Sequence, residues 1–157
     1  MILWIVYIIL LIVVGEAFSY AWHRYMTHTN FEQFILVDIR STHKIHHKDG
    51  TYETDSNDFI WLILVFMMVQ LWTGILIMVN ILPGIVSVVS LLIFGLVIVW
   101  NWWLHKAYHE QEHWLNKYEW FKEKKKRHFV HHKNPKKNYG IASNFMDKIF
   151  GTWNDEI

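Results

Sequence analysis

Histidine stands out in this chain, with eleven among 157 residues. Ten fall into four groups: His23 and His28 frame HRYMTH, His43, His46 and His47 form HKIHH, His105 and His109 frame HKAYH, and His128, His131 and His132 form HFVHH. His113 stands apart. Helical residues three or four apart share a face. An H-x-x-H-H group therefore points at least two imidazoles the same way and splays its adjacent pair, which can then serve two neighbouring ions. His105 and His109 converge in the same manner. His23 and His28 lie about 140° apart on an ideal helix. They need a bend or helix end between them, or a separate ion each. Neutral imidazole suits zinc, iron and copper. Ten imidazoles exceed the roughly four to six positions of one ion and suit two.

Rival chemistries use the same residues. His109-Glu110-Gln111-Glu112-His113 matches the H-E-x-x-H pattern of zinc metalloproteases, in which two histidines one turn apart and a glutamate base await a third ligand. That reading leaves nine histidines unexplained. A metal transporter or sensor would hold its ligands near the bilayer midplane, but the apolar segments carry no histidine. Cysteine is absent, which excludes thiolate sites and disulfides.

The elements that must position the histidines are apolar helices. Hydrophobic residues make up 53% of the chain. They concentrate in segments 2–22, 59–82 and 84–104, each long enough to cross a hydrocarbon core of about 30 Å. Too little polar chain remains to cover three such helices in water. Pro83-Gly84 joins the last two as a hairpin. The first segment has neither a basic start nor a small-residue cleavage site, so it is expected to be an anchor and not a removed signal. All fifteen Lys and Arg fall within 24–48 and 106–148. Three spans place both stretches on one side, which the positive-inside rule makes cytoplasmic, with the N-terminus out. The expected fold is an all-α integral membrane protein. Three transmembrane helices carry a cytoplasmic helical cap (23–58 and 105–157) with the histidine boxes, in one domain over 1–157. The basic run KEKKKR at 122–127 either anchors the cap at anionic lipid or meets an acidic electron donor.

The order Hx4H, HxxHH, HxxxH, HxxHH, interleaved with membrane spans, resembles the fatty acid hydroxylase/sterol desaturase superfamily. The C-terminal run strengthens the resemblance: His131-His132 is followed by Asn138-Tyr139-Gly140, then by Asp147-KIF-Gly151-Thr152. The resemblance implies an O2-dependent di-iron enzyme that hydroxylates or desaturates a lipid C–H bond. It implies metal ligands at His23, His28, His43, His46, His47, His105, His109, His128, His131 and His132, and none at His113. Two iron ions are the implied cofactors, with O2 as co-substrate; zinc can replace iron in purified protein. The chain is shorter than many relatives, which have four or more spans. It carries no fused cytochrome b5-like domain, so a separate electron donor, cytochrome b5-like or ferredoxin-like, is expected. Small carotenoid hydroxylases are similar in length and in the first box, while the N-Y-G and D-x-x-F-G-T ending looks like the fatty acid and sterol branch. The membrane implied is a bacterial inner membrane or the endoplasmic reticulum. No nucleic-acid partner is expected.

Four further residues are candidates for supporting roles. Glu16 is an acid inside the first span, two turns before His23 on the same face. It either bonds a neighbouring helix as a neutral acid or supports the site. Asn101 stands one turn before His105 and either orients it or bonds across helices. Asp147 is a cap, an ion-pair partner or a support for a ligand, and His113 is structural or a support. Trp100, Trp102 and Trp103 read as an interfacial belt.

Substitutions separate the enzyme readings. Glu110→Gln should abolish a protease and leave lipid oxidation unchanged. His47→Ala or His132→Ala should abolish lipid oxidation and spare proteolysis. Peptidase assays and lipid mass spectrometry of the same variants decide between them.

Overall fold

The computed structural model describes residues 2–28, 39–50, 84–154 and the isolated positions 67, 71, 74, 75 and 78. Among the described residues every regular element is helical. Helix α1 (Ile2–Ala21) runs into a π-helical turn, Trp22–Met26. Helix α2 is Ile39–Asp49 and α3 is Gly84–His109. A 3-10 turn, Trp114–Lys117, leads to α4 (Glu119–Lys133) and a short α5 (Phe145–Ile149). The second expected span, 59–82, lies outside the described residues except at five positions, which are helical. The link at Pro83 lies outside them too.

Two segments are long and apolar enough to cross a bilayer: Ile2–Met26, with mean hydropathy 2.5, and Gly84–His109, with 2.3. A core helix of a soluble protein would hide an apolar stripe. These helices display theirs. Leu3 is 84% exposed, and Ile85, Val88, Leu92, Leu96 and Val99 form an exposed ridge at spacings of three and four. Such a surface is at home in hydrocarbon and not in water. Helix α3 continues past the expected boundary at Leu104 to His109, because LHKAYH contains no helix breaker and Leu104, Ala107 and Tyr108 are buried. His105 and His109 thus sit on a rigid helical end.

The chain forms two compact units. The first comprises Met1–Gly15 and Thr54–Val99. Within it the Tyr7 hydroxyl bonds Ser90 Oγ, which donates 2.7 Å to the Val86 carbonyl. Hydroxyl groups among apolar helices need such partners. Gly15 lies against Val97, where a Cβ would come within 2.9 Å of Val97 Cγ1. The second unit comprises Glu16–Glu53 and Trp100–Ile157 and holds all the histidines. Its main apolar cluster is Leu104, Ala107, Tyr108, Leu115, Phe121 and Ile141; Tyr20, Tyr139 and Met146 make a second. Its core is unusually polar. His131 and Asp147 are among the largest fully buried side chains. Buried polar groups demand partners, and those partners build the site.

Candidate metal centre

The π-helical turn solves the geometry of the first box. A widened turn brings residues five apart together, and the rings of His23 and His28 lie 5.3 Å apart. Both join the same group, so the bend, not a separate ion for each, is what the structure adopts. On α2, the Nε2 atoms of His43 and His47 lie 3.1 Å apart, while His46 turns away to meet His105 at 3.1 Å. On α4, the Nε2 atoms of His128 and His132 are 3.0 Å apart, while His131 meets His28 at 3.1 Å. Each adjacent pair is therefore split between two clusters. One holds His23, His28, His43, His47 and His131; the other holds His46, His105, His109, His128 and His132. In each cluster all five donor atoms lie within 4.8 Å of one another.

The protons decide what these clusters can do. His23, His109 and His131 each present Nδ1 to a backbone carbonyl, at Tyr139 (2.7 Å), Gly50 (2.9 Å) and Lys137 (2.7 Å). A carbonyl only accepts, so Nδ1 carries the proton and Nε2 is left with a bare lone pair. The Nε2 of His28 lies 3.1 Å from His131 and 3.0 Å from His43, which in turn lies 3.1 Å from His47. One ring nitrogen holds one proton or one in-plane lone pair, so it cannot bond two neighbours. His128 repeats the problem, with His109 at 2.7 Å and His132 at 3.0 Å. His23 Nε2 is buried without any hydrogen-bond partner. A cation at the centre of each cluster would satisfy these lone pairs together. The separations also fit: two nitrogens bound at roughly 2.1 Å and at right angles stand about 3 Å apart.

Burial keeps the rings neutral. It holds His43, His128 and His131 well below the usual histidine range, and neighbouring imidazoles push them further down. Burial likewise brings His47 to about 4 and His132 to about 2. Lone pairs are thus available at neutral pH.

A single loop braces the first cluster. Asn138 adopts φ 54, a left-handed turn that asparagine tolerates. The carbonyls on either side of it, Lys137 and Tyr139, receive the Nδ1 protons of His131 and His23. Asp147, 1% exposed, accepts from Tyr139 N (2.8 Å), Gly140 N (2.8 Å) and Thr152 Oγ1 (2.7 Å). Thr152 Oγ1 lies 2.9 Å from Tyr20 Oη, which accepts from Arg24. The Arg24 guanidinium lies 5.2 to 5.9 Å from the rings of Tyr20, Tyr25, Tyr139 and Phe150. The first box and the C-terminal motif are stitched together there. At Gly140 a Cβ would stand 2.0 Å from the Ser143 carbonyl oxygen, so only glycine fits.

Of the other supporting candidates, Asn101 donates to Glu16 Oε1 (2.8 Å) and accepts from Ala142 N (3.1 Å). Glu16 is thus bonded to a neighbouring helix and joined through Asn101 to the same loop. His113 has a structural task. Its Nδ1 accepts from Leu115 N at 3.2 Å and caps the 3-10 turn, and its ring stacks on Phe121. The HEQEH reading fails on this geometry. Helix α3 stops at His109, so His109 and His113 do not share a helical face; one enters the second cluster and the other caps a turn. Tyr20, Arg24 and Tyr108 were not singled out by sequence, and Thr152 only as the last residue of the D-x-x-F-G-T ending. Tyr20 and Arg24 stand one turn apart, which is the only local signal they give.

Among the described residues, two apolar helices of membrane-spanning length and two five-histidine clusters that could each hold an ion fit a metal-binding membrane protein. The fatty acid hydroxylase family model matches residues 8–152, and the chain belongs to that family, within the fatty acid hydroxylase/sterol desaturase superfamily. Membership implies an oxidoreductase of the hydroxylase or desaturase type. No match is found among curated proteins or among solved structures.

Gly140→Ala should displace the loop and cost more than about 3 kcal/mol, since the clash is with backbone. Thermal unfolding in detergent measures it, with Gly95→Ala, where a Cβ meets nothing, as control. The metal-free protein should also lose stability in acid. The folded-state values lie below that of an unfolded histidine, so the unfolded chain binds more protons below about pH 6.5. Stability is then fully present above that pH and falls as pH drops toward 4 and below. A midpoint independent of pH from 7 to 4 would contradict this.

Proposed function

We propose that the chain is an O2-dependent membrane oxygenase that uses two iron ions to hydroxylate, or desaturate, a C–H bond of a fatty acyl lipid or sterol. The observation that supports this best is the pair of all-histidine clusters. Each gathers five imidazoles whose donor atoms all lie within 4.8 Å of one another, and His23 Nε2 is buried there without a hydrogen-bond partner. His23, His28, His43, His47 and His131 would hold one ion, and His46, His105, His109, His128 and His132 the other. Bound iron supplies the activation of O2 and the abstraction of hydrogen from an unactivated carbon, with zinc as an inactive substitute in purified protein.

The chain's own residues do the rest. The Nδ1 bonds to Tyr139, Gly50 and Lys137 fix ring orientation and keep each Nε2 basic. The Asp147 anchor holds the loop whose carbonyls orient His23 and His131. Hydroxylation balances as R–H + O2 + 2 e⁻ + 2 H⁺ → R–OH + H2O, so an electron donor must supply two electrons. The lipid tail would enter from the bilayer, with its reacting carbon near the cytoplasmic boundary of an inner or endoplasmic-reticulum membrane.

Lipid mass spectrometry of cells expressing the protein, against a His132→Ala control, tests the reading. A lipid class that gains one oxygen, or loses two hydrogens, only with the intact protein is expected. Identical lipid profiles from the two, with both proteins present at equal levels, would count against it.

A further inference from the structure

We infer that the face of α4 carrying Lys126, Phe129 and Lys133, extended by Lys136, is the docking surface for an acidic one-electron-carrier protein. The inference rests on the oxygenase reading, whose two external electrons must arrive singly from such a carrier.

Residues 124–146 contain Lys124, Lys125, Lys126, Arg127, Lys133, Lys136 and Lys137, and no Asp or Glu. Four of these cations are used within the protein. Lys124 donates to Asn144 Oδ1 (2.8 Å), Lys125 to the Glu110 carbonyl (2.6 Å) and Lys137 to the Gly151 carbonyl (3.1 Å). Arg127 pairs with Glu123 at 2.8 Å and lies 4.2 Å over the Trp153 ring. Lys126, Lys133 and Lys136 are exposed, and among the described residues their ammonium groups make no hydrogen bond or ion pair. Positions 126, 129 and 133 share one face of α4. Between the two lysines lies Phe129, whose ring is 5.4 Å from His109, 5.8 Å from His128 and 5.6 Å from His132. His132 itself is only half-buried. A carrier seated on the free lysines would be one ring away from three imidazoles of the second cluster.

The charge and texture of this face favour a protein over a bilayer. Membrane-binding faces interleave cations with large exposed apolar residues. Among the described residues no large hydrophobic is strongly exposed between Trp120 and Phe145. The exposed aromatic segment at Trp114, Tyr118 and Trp120 is a poorer site for an acidic partner, because Glu112 and Glu119 offset Lys117 there.

The test uses the full chain, loaded with redox-silent zinc, in nanodiscs of phosphatidylcholine alone. The probes are the soluble haem domain of an acidic cytochrome b5 and an acidic [2Fe–2S] ferredoxin, with binding followed by biolayer interferometry at rising salt. At least one probe should bind, less tightly as salt rises. The triple variant Lys126→Glu/Lys133→Glu/Lys136→Glu should bind it at least roughly tenfold more weakly, with metal content and thermal midpoint unchanged. Equal binding by both proteins, or no binding of either probe, would overturn the inference. So would a face that binds only phosphatidylglycerol vesicles and loses them in the variant. Iron-loaded protein driven by a chemical reductant separates the two readings. Product in both proteins under that reductant keeps the oxygenase whatever happens to docking; no product in either removes the oxygenase reading instead.

Discussion

Two sets of five imidazoles, each with its donor atoms within 4.8 Å of one another, are the constraint on which the rest of this structure depends. Burying them is costly, and a buried nitrogen that finds no partner costs more still. The fold does not relieve that cost by adding donors inside the clusters. On three rings, His109, His131 and His23, it fixes the proton on the outer side, at Nδ1, with the backbone carbonyls of Gly50, Lys137 and Tyr139. The inner side is thereby left electron-rich, which is what a cation needs and what a hydrogen-bonded core avoids.

Positioning follows from that demand. Helical ends carry three of the four boxes, so each pair of rings is set by helix geometry. The first box needs a turn with wider spacing, and the π-helical segment at Trp22–Met26 provides it. The sequence after α4 then returns over the site. Asp147 ties the loop at Tyr139 and Gly140 to Thr152, and Thr152 ties it to Tyr20 at the end of α1. Glu16, in the first apolar helix, reaches the same loop through Asn101. A disturbance at any of these groups is passed to His23 or His131 through one backbone carbonyl.

Much of the site could be read from spacing alone, because helical periodicity is local. The H-x-x-H-H groups dictated that His46 and His47, and likewise His131 and His132, should part company, and they do. The start of α3 at Gly84 was legible from the Pro83-Gly84 break, while its end was not. The apolar count stops at Leu104, but helix continuity depends on burial of Ala107 and Tyr108 in a core that spacing does not reveal. His113 was illegible because HEQEH makes a motif only if the helix persists, and the helix ends at His109 with a turn at Gln111 and Glu112. The Tyr20–Thr152 contact joins residues 132 apart in sequence, and no local pattern announces such a pair. Asn101 and Glu16 were noticed as misplaced polar groups, but that they partner each other is a tertiary fact.

The most direct measurement is the iron content of protein purified without oxygen and saturated with Fe(II), by plasma mass spectrometry against quantitative amino-acid analysis. The account predicts two iron ions per chain, one for each five-histidine cluster. One ion or fewer per folded chain under saturating iron would contradict it.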